Sequence, residues 1–168
     1  TLCKALGLDM QKCLEAAHSF KGIERRLERH GTKVIDDFAH SPIKIAAVLE
    51  TVAEEFPALS AYWRPHGYTP LFQLANGLTE IFAAHWAKRP DDRLFILPVY
   101  FAGGTVNIKI TSEQFVEKLN AAGVPAEFVP DYNALEEKLL AAGLPVLGMG
   151  ARDPELPLFA KRLAARIQ

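Results

Sequence analysis

Apolar residues fall along this chain in two kinds of run. Leu59–Arg64, Leu94–Tyr100, Ala126–Val129 and Pro145–Met149 are short and nearly continuous, the pattern of strands buried on both faces. Between them apolar residues recur at helical spacing: Ile45, Val48, Leu49, Val52 and Phe56, then Leu71, Leu74, Leu78, Ile81 and Phe82. Shorter helical patterns follow at Phe115 and Leu119, at Leu135 and Leu139, and at Leu156, Phe159, Ala160, Leu163 and Ile167. Ahead of all these, a hairpin through His30-Gly31-Thr32 returns the chain as Lys33 to Asp36. Strands alternating with amphipathic helices predict an α/β fold. Its core is a mostly parallel, six-stranded Rossmann-like sheet with one antiparallel strand and helices on both faces.

The element boundaries carry their own chemistry. Ser41 and Thr69 suit helix caps, with Pro42 and Pro70 at the first helical positions, where a missing N–H costs nothing. Thr111 with Gln114 predicts a capping box, and Asp153-Pro154 opens the final helix. The stretch Val34-Ile35-Asp36-Asp37-Phe38-Ala39-His40-Ser41-Pro42 organises the rest, because it places Asp37 and His40 at a strand-to-helix junction beside free backbone N–H groups. An acid and an imidazole there serve either a nucleotide or the loop itself. The loops at Asp37, His66, Tyr100 and Gly150 all follow strands, so they should share the sheet edge where ligands of such folds gather.

Before the hairpin, Leu2, Leu6, Met10, Cys13, Leu14 and Ala17 form a helical pattern broken at Gly7, with Asp9 as a cap. Residues 1–21 read as the last helices of a preceding domain with its linker, and 22–168 as the domain proper. The chain starts at Thr1 rather than Met and reads as a piece of a longer protein.

Composition narrows the function. Of 168 residues, nineteen are basic and twenty acidic, a balance that argues against a surface for nucleic acid or anionic membrane. No apolar run is long enough to cross a bilayer. Cys3 and Cys13 lack a cluster of further metal ligands and read as reduced thiols, consistent with a cytoplasmic protein. The five histidines form no zinc signature, and the sequence contains no HExxH, GxSxG or Walker-type phosphate loop. Gly148-Met149-Gly150 lacks the third glycine of a dinucleotide fingerprint and reads as a tight turn into a helix. Arg25 and Arg26, adjacent in an extended segment, should face opposite ways, one solvated and one toward the site. Arg152, at the mouth of the last strand, is a candidate for an anionic substrate group.

Five segments in order resemble the C-terminal domain of the Mur ligases, ATP-dependent amide-forming enzymes of peptidoglycan precursor synthesis. They are Arg25-Arg26-Leu27-Glu28, Asp36 to Pro42, Pro65-His66-Gly67-Tyr68-Thr69, Val99-Tyr100-Phe101-Ala102-Gly103 and Met149-Gly150-Ala151-Arg152-Asp153. They are similar to the family's R-R-x-E linker, D-D-Y/F-A/G-H-x-P turn, P-H-x-Y/F-T segment, V-Y-x-A-G loop and M-G-A-x-D turn. Within the family the group that joins L-alanine to UDP-N-acetylmuramate is the nearest. The resemblance implies a three-domain enzyme that uses ATP and Mg²⁺. The N-terminal domain would bind the UDP-sugar acid and the central domain would supply the phosphate loop. This domain would close over ATP and present the amino acid or peptide, leaving the isolated chain inactive.

Carried over by position, Arg26 matches the linker arginine that approaches the ATP phosphates and Asp37 the acid that contacts the ribose. His40 lies in the same nucleotide-facing turn and, with Arg26, is the candidate catalytic pair. His66 and Tyr68 belong to the amino-acid-facing loop, with Arg152 as a further substrate contact. No metal ligand is implied on this chain. Asp37 and Arg26 are expected to be at least partly exposed in a strand-end crevice. The alanine-adding enzymes read P-H-R-Y/F-T-R, but Gly67 and Pro70 stand here at the two arginine positions, and Phe101 replaces a proline. The carboxylate-gripping guanidiniums are therefore missing, with Arg152 and Lys109 as candidate replacements. Alternatives are a tripeptide-recycling ligase, a ligase of this fold acting outside peptidoglycan, or a stand-alone nucleotide-binding module.

Overall fold

A computed structural model describes residues 2–20, 22–103 and 107–167. Gly104, half of the expected Gly103-Gly104 loop, lies outside the described residues, as do the terminal Thr1 and Gln168 and the linker's Lys21. Six strands form one sheet: β1 (Glu28–His30), β2 (Val34–Asp37), β3 (Ser60–Arg64), β4 (Arg93–Ile96), β5 (Ala126–Phe128) and β6 (Val146–Gly150). Their spatial order is β1-β2-β6-β3-β4-β5, with β1 antiparallel to β2 and every other pairing parallel. The expected architecture is present in full.

Helices α3 (Pro42–Ala53), α4 (Tyr68–Trp86) and α5 (Ser112–Ala121) cover one face; α6 (Tyr132–Ala142) and α7 (Glu155–Ala164) cover the other. Side chains alternate across the sheet as the pleat requires. Ile35, Ala61, Trp63 and Leu147 face α3–α5, whereas Val34, Tyr62 and Val146 face α6 and α7. The helical apolar stripes are buried as read, with Phe56, Leu74 and Ile81 packed at the rim. Leu156, Phe159, Ala160, Leu163 and Ile167 all reach the second core.

Local boundaries depart from the reading in ways that shape the edge. Strand β4 stops at Ile96, and Tyr100 returns only as an isolated bridge to His66. Ser41 stands at the N-cap of α3, but its side chain makes no capping bond. Helix α4 begins at Tyr68, one residue before Thr69; Gly67, at φ 84°, is its N-cap and replaces the expected Thr69 cap. A side chain at Gly67 would be strained by that φ and crowded by Pro70 at 3.2 Å. Thr111 and Gln114 form the expected capping box, and Asp9 caps the second helix. The two N-terminal helices, α1 (Leu2–Ala5) and α2 (Met10–Ser19), contribute no buried residue. Their apolar side chains stand open, Leu2 at 72% and Phe20 at 67% exposure.

Candidate functional site

The carboxyl ends of β2, β3, β4 and β6 bring the four expected loops to one edge, where the geometry is set by Phe38, His40, His66 and Tyr100. His40 is half-buried, and its Nδ1 lies 2.9 Å from the Phe38 carbonyl oxygen. A carbonyl only accepts, so Nδ1 carries the hydrogen and Nε2 is left to a ligand. The His40 and His66 rings meet edge to face with centroids 5.0 Å apart, which joins the β2 turn to the β3 turn. His66 is fixed in turn because the Gly67 N–H donates to the Tyr100 carbonyl at 2.9 Å, and the Tyr100 N–H donates to that of Pro65 at 2.7 Å. Burial lowers the His66 pKa, and electrostatic repulsion from the neighbouring His40 and Arg152 lowers it further, which favours the neutral imidazole.

A cleft of about 200 Å³ opens at this edge, lined by His66, Gly67, Pro70, Tyr100, Phe101 and Arg152. Tyr68 leans on Phe101 beside it, ring centroids 6.1 Å apart. Arg152 is exposed and sits at φ 65°, a left-handed conformation that costs a non-glycine residue about 1 kcal/mol. Lys109 is not part of this cleft: its ammonium sits 4.9 Å from the Phe72 ring centroid. A larger cavity, about 440 Å³, lies between the C-terminal halves of α3 and α4, where Glu50, Glu54, Lys88 and Arg89 line it. It is at the opposite edge of the sheet from the strand-end loops. Chemistry, not size, selects the smaller one.

The linker arginines do not follow the extended pattern. Residues 24–27 form a turn, with Arg25 at φ 54° and Leu27 at φ 48°. Both guanidiniums consequently stack over the Phe38 ring, 5.1 and 5.7 Å from its centroid. Arg25 is the buried one, at 8% exposure, and Arg26 is solvated. Arg25 donates from Nε to Asp36 Oδ2 at 2.7 Å and from Nη2 to the Gly150 carbonyl at 2.8 Å. Burial pushes the Asp36 carboxyl up, against the opposite pull of Arg25.

Asp37 corrects a second expectation. It is buried at 4% exposure rather than open to a crevice, and its Oδ2 accepts the Leu27 N–H at 2.9 Å. Two successive acids thus hold the linker turn, one by a side chain and one by a backbone amide. Arg26 is exposed, as expected.

Arg64 escaped the sequence reading. It ends β3 two residues before His66, lies over the Tyr100 and Tyr132 rings at 5.6 and 5.3 Å, and reaches Asp153 at 2.6 Å. Tyr132 donates its hydroxyl to the same carboxylate at 2.7 Å, and burial together with Asp153 raises its pKa strongly. Arg64 therefore ties together the loops after β3, β4, β5 and β6. Its position at a strand's carboxyl end was the available signal.

No protein-family model matches the chain. It is 30% identical over 159 residues to a UDP-N-acetylmuramate–L-alanine ligase of Acetivibrio thermocellus, covering 90% of this chain and 33% of that protein. Among solved structures, the UDP-N-acetylmuramate-alanine ligase of Thermotoga maritima superposes with TM-score 0.71 and 24% identity, over 98% of this chain and 35% of that one. A domain from a putative UDP-N-acetylmuramate:L-alanyl-γ-D-glutamyl-meso-diaminopimelate ligase of Haemophilus ducreyi gives TM-score 0.53 at 20% identity, over 85% of this chain and the whole of that one. The chain spans about a third of the length of the curated relatives it matches, in their C-terminal part. The likeness to Mur ligases of the alanine-adding group is borne out.

Proposed function

We infer that the chain is the C-terminal domain, residues 22–168, of a Mur-type ligase, an ATP-dependent enzyme that joins an acid to an amine through an amide bond. Residues 1–21 are then the end of the preceding domain, which fits their open apolar side chains. The observation that carries this reading is the strand-end edge itself. There a nucleotide-facing turn (Asp37–His40) and an amine-facing turn (His66–Tyr68) touch through two imidazole rings. Activation of a carboxylate by ATP is an in-line phosphoryl transfer, which cationic groups stabilise as negative charge develops.

Arg26, exposed and steadied by Phe38, is placed to approach phosphates from the linker. His40 presents Nε2 to the nucleotide, as an acceptor for a hydroxyl or amino hydrogen and, only as imidazolium, as a donor to phosphate oxygens. Asp37 acts on the nucleotide through the shape of the linker turn it braces, or after that turn opens. The edge residues are cationic and imidazole groups, which suit phosphate oxygens. Mg²⁺ would bind the phosphates with ligands from the rest of the enzyme. His66, neutral and half-buried, can take the proton from the substrate ammonium before the free amine attacks, or orient the amine. Arg152 is the cation lining the cleft and would hold the carboxylate of that amine, in place of the arginines that Gly67 and Pro70 exclude. The enzyme would act in the cytoplasm on a UDP-sugar acid and an amino acid or peptide.

The full-length protein should release phosphate from ATP and Mg²⁺ only when a UDP-muramyl acid and an accepted amine are both present. The isolated chain should stay at background in the same assay. Turnover by the chain alone would overturn the three-domain reading.

A further inference from the structure

On the α7 side of the sheet, away from the cleft, Glu28 and Asp36 are register partners across β1 and β2, and His30 lies two residues along the same face. One ligand atom from each lies within 4.8 Å of the others. The His30 side chain is 9% exposed, and its Nε2, aimed into this group, has no hydrogen-bond partner among the described residues. The gap to Glu28 Oε1 is 4.0 Å, too long for a hydrogen bond. Two donors on one tetrahedral ion with bonds of about 2.0–2.2 Å lie roughly 3.3–3.6 Å apart, so a small side-chain rotation would close this pair onto a metal. The Tyr62 hydroxyl lies over Gly148, the register neighbour of Asp36, and is likewise buried without a partner.

Arg25 is the competing cation, and its contacts leave room. It takes Asp36 Oδ2 at 2.7 Å but Oδ1 only at 3.3 Å, and its backbone N–H takes Glu28 Oε2 at 2.8 Å. One oxygen of each carboxylate is therefore lightly held. Two carboxylates thus face one guanidinium, and each keeps an oxygen for a further cation. We propose that Glu28, His30 and Asp36 form a binding site for a borderline divalent transition ion such as Zn²⁺. The imidazole favours such ions over Mg²⁺ or Ca²⁺. Glu28, more open than the other two, gives the way in, and the ion ties the edge strand to β2 beside the linker turn. This site does not depend on the ligase reading.

The test uses the chelator-treated chain with Cys3→Ser and Cys13→Ser, because those neighbouring thiols on α1 and α2 would compete for the metal. Zn²⁺ titration by calorimetry should show one equivalent bound, and Co²⁺ should give a visible absorption band. His30→Gln should weaken Zn²⁺ binding at least about tenfold and remove the band. Glu28→Gln, at a more open position, should also weaken it, and His18→Gln should leave it unchanged. Absence of binding by the parent chain, or equal binding by His30→Gln, would overturn the site.

Discussion

Two buried carboxylates at opposite edges of the same sheet are treated very differently. Asp92, ahead of β4, accepts the Leu59 N–H at 3.0 Å, His85 at 2.9 Å and the Arg89 Nε at 2.7 Å. Burial alone would raise its pKa, but these donors together hold it below the ordinary carboxylate range. Among the described residues, Asp36, equally hidden at the carboxyl end of β2, takes its side-chain hydrogen bonds from Arg25, and burial prevails. Among the described residues, His30 Nε2 beside it and Tyr62 Oη over its register neighbour Gly148 are buried without partners. The Asp92 cluster spends every donor on closing the fold, with Arg89 also capping α3 through the Ala53 and Phe56 carbonyls. The Asp36 group, on the α7 side of the sheet, keeps polar atoms in reserve, as expected where a ligand completes the bonding.

That contrast is sharpest in Asp92→Ala, which strands a guanidinium, an imidazole and a backbone N–H. Urea denaturation should show a loss of about 3–5 kcal/mol, the cost of breaking a buried charged network. Arg25→Met leaves Asp36 buried and unpaired and should cost about 3 kcal/mol. The double variant Arg25→Met/Asp36→Leu should recover most of that, because a buried pair is worth little against apolar residues of similar volume. A double variant no more stable than Arg25→Met would mean the pair itself holds the fold.

Acid separates the two carboxylates next. The folded pKa of Asp92 is depressed, so its stabilisation is complete above the unfolded value, near pH 4, and is lost as pH falls through the folded value. The folded pKa of Asp36 is raised, so its ionisation costs stability as pH rises through that value. The stability gap between parent and Asp92→Ala should therefore narrow as pH drops below about 4. A gap that stayed constant would contradict the depressed pKa.

The fold was legible because buried strands and amphipathic helices differ in apolar period, which marked four strands, while the hairpin turn at His30-Gly31-Thr32 marked the opening pair. Boundaries set by glycine geometry were not: Gly67 starts α4 at Tyr68 through a positive φ that Thr69-Pro70 concealed. At the site, His40, His66 and Arg152 lie at one edge because each follows a strand. Asp37 and Arg25 defeated the reading because linker residues 24–27 turn rather than extend. An acid expected to face a crevice was therefore covered by the residues it braces. Arg64 carried no motif, and its reach across four loops depends on tertiary packing.

On the proposed function, this edge binds an amine substrate and Arg152 holds its carboxylate. Arg152→Gly in the full-length enzyme probes that role, since glycine accepts φ 65° and removes the guanidinium without straining the backbone. Losing a charge-assisted contact of about 1.5–3 kcal/mol should raise KM for the preferred amine roughly ten- to a hundredfold. KM for ATP should hold, and thermal stability should stay level or rise. An unchanged amine KM in that variant would contradict the claim.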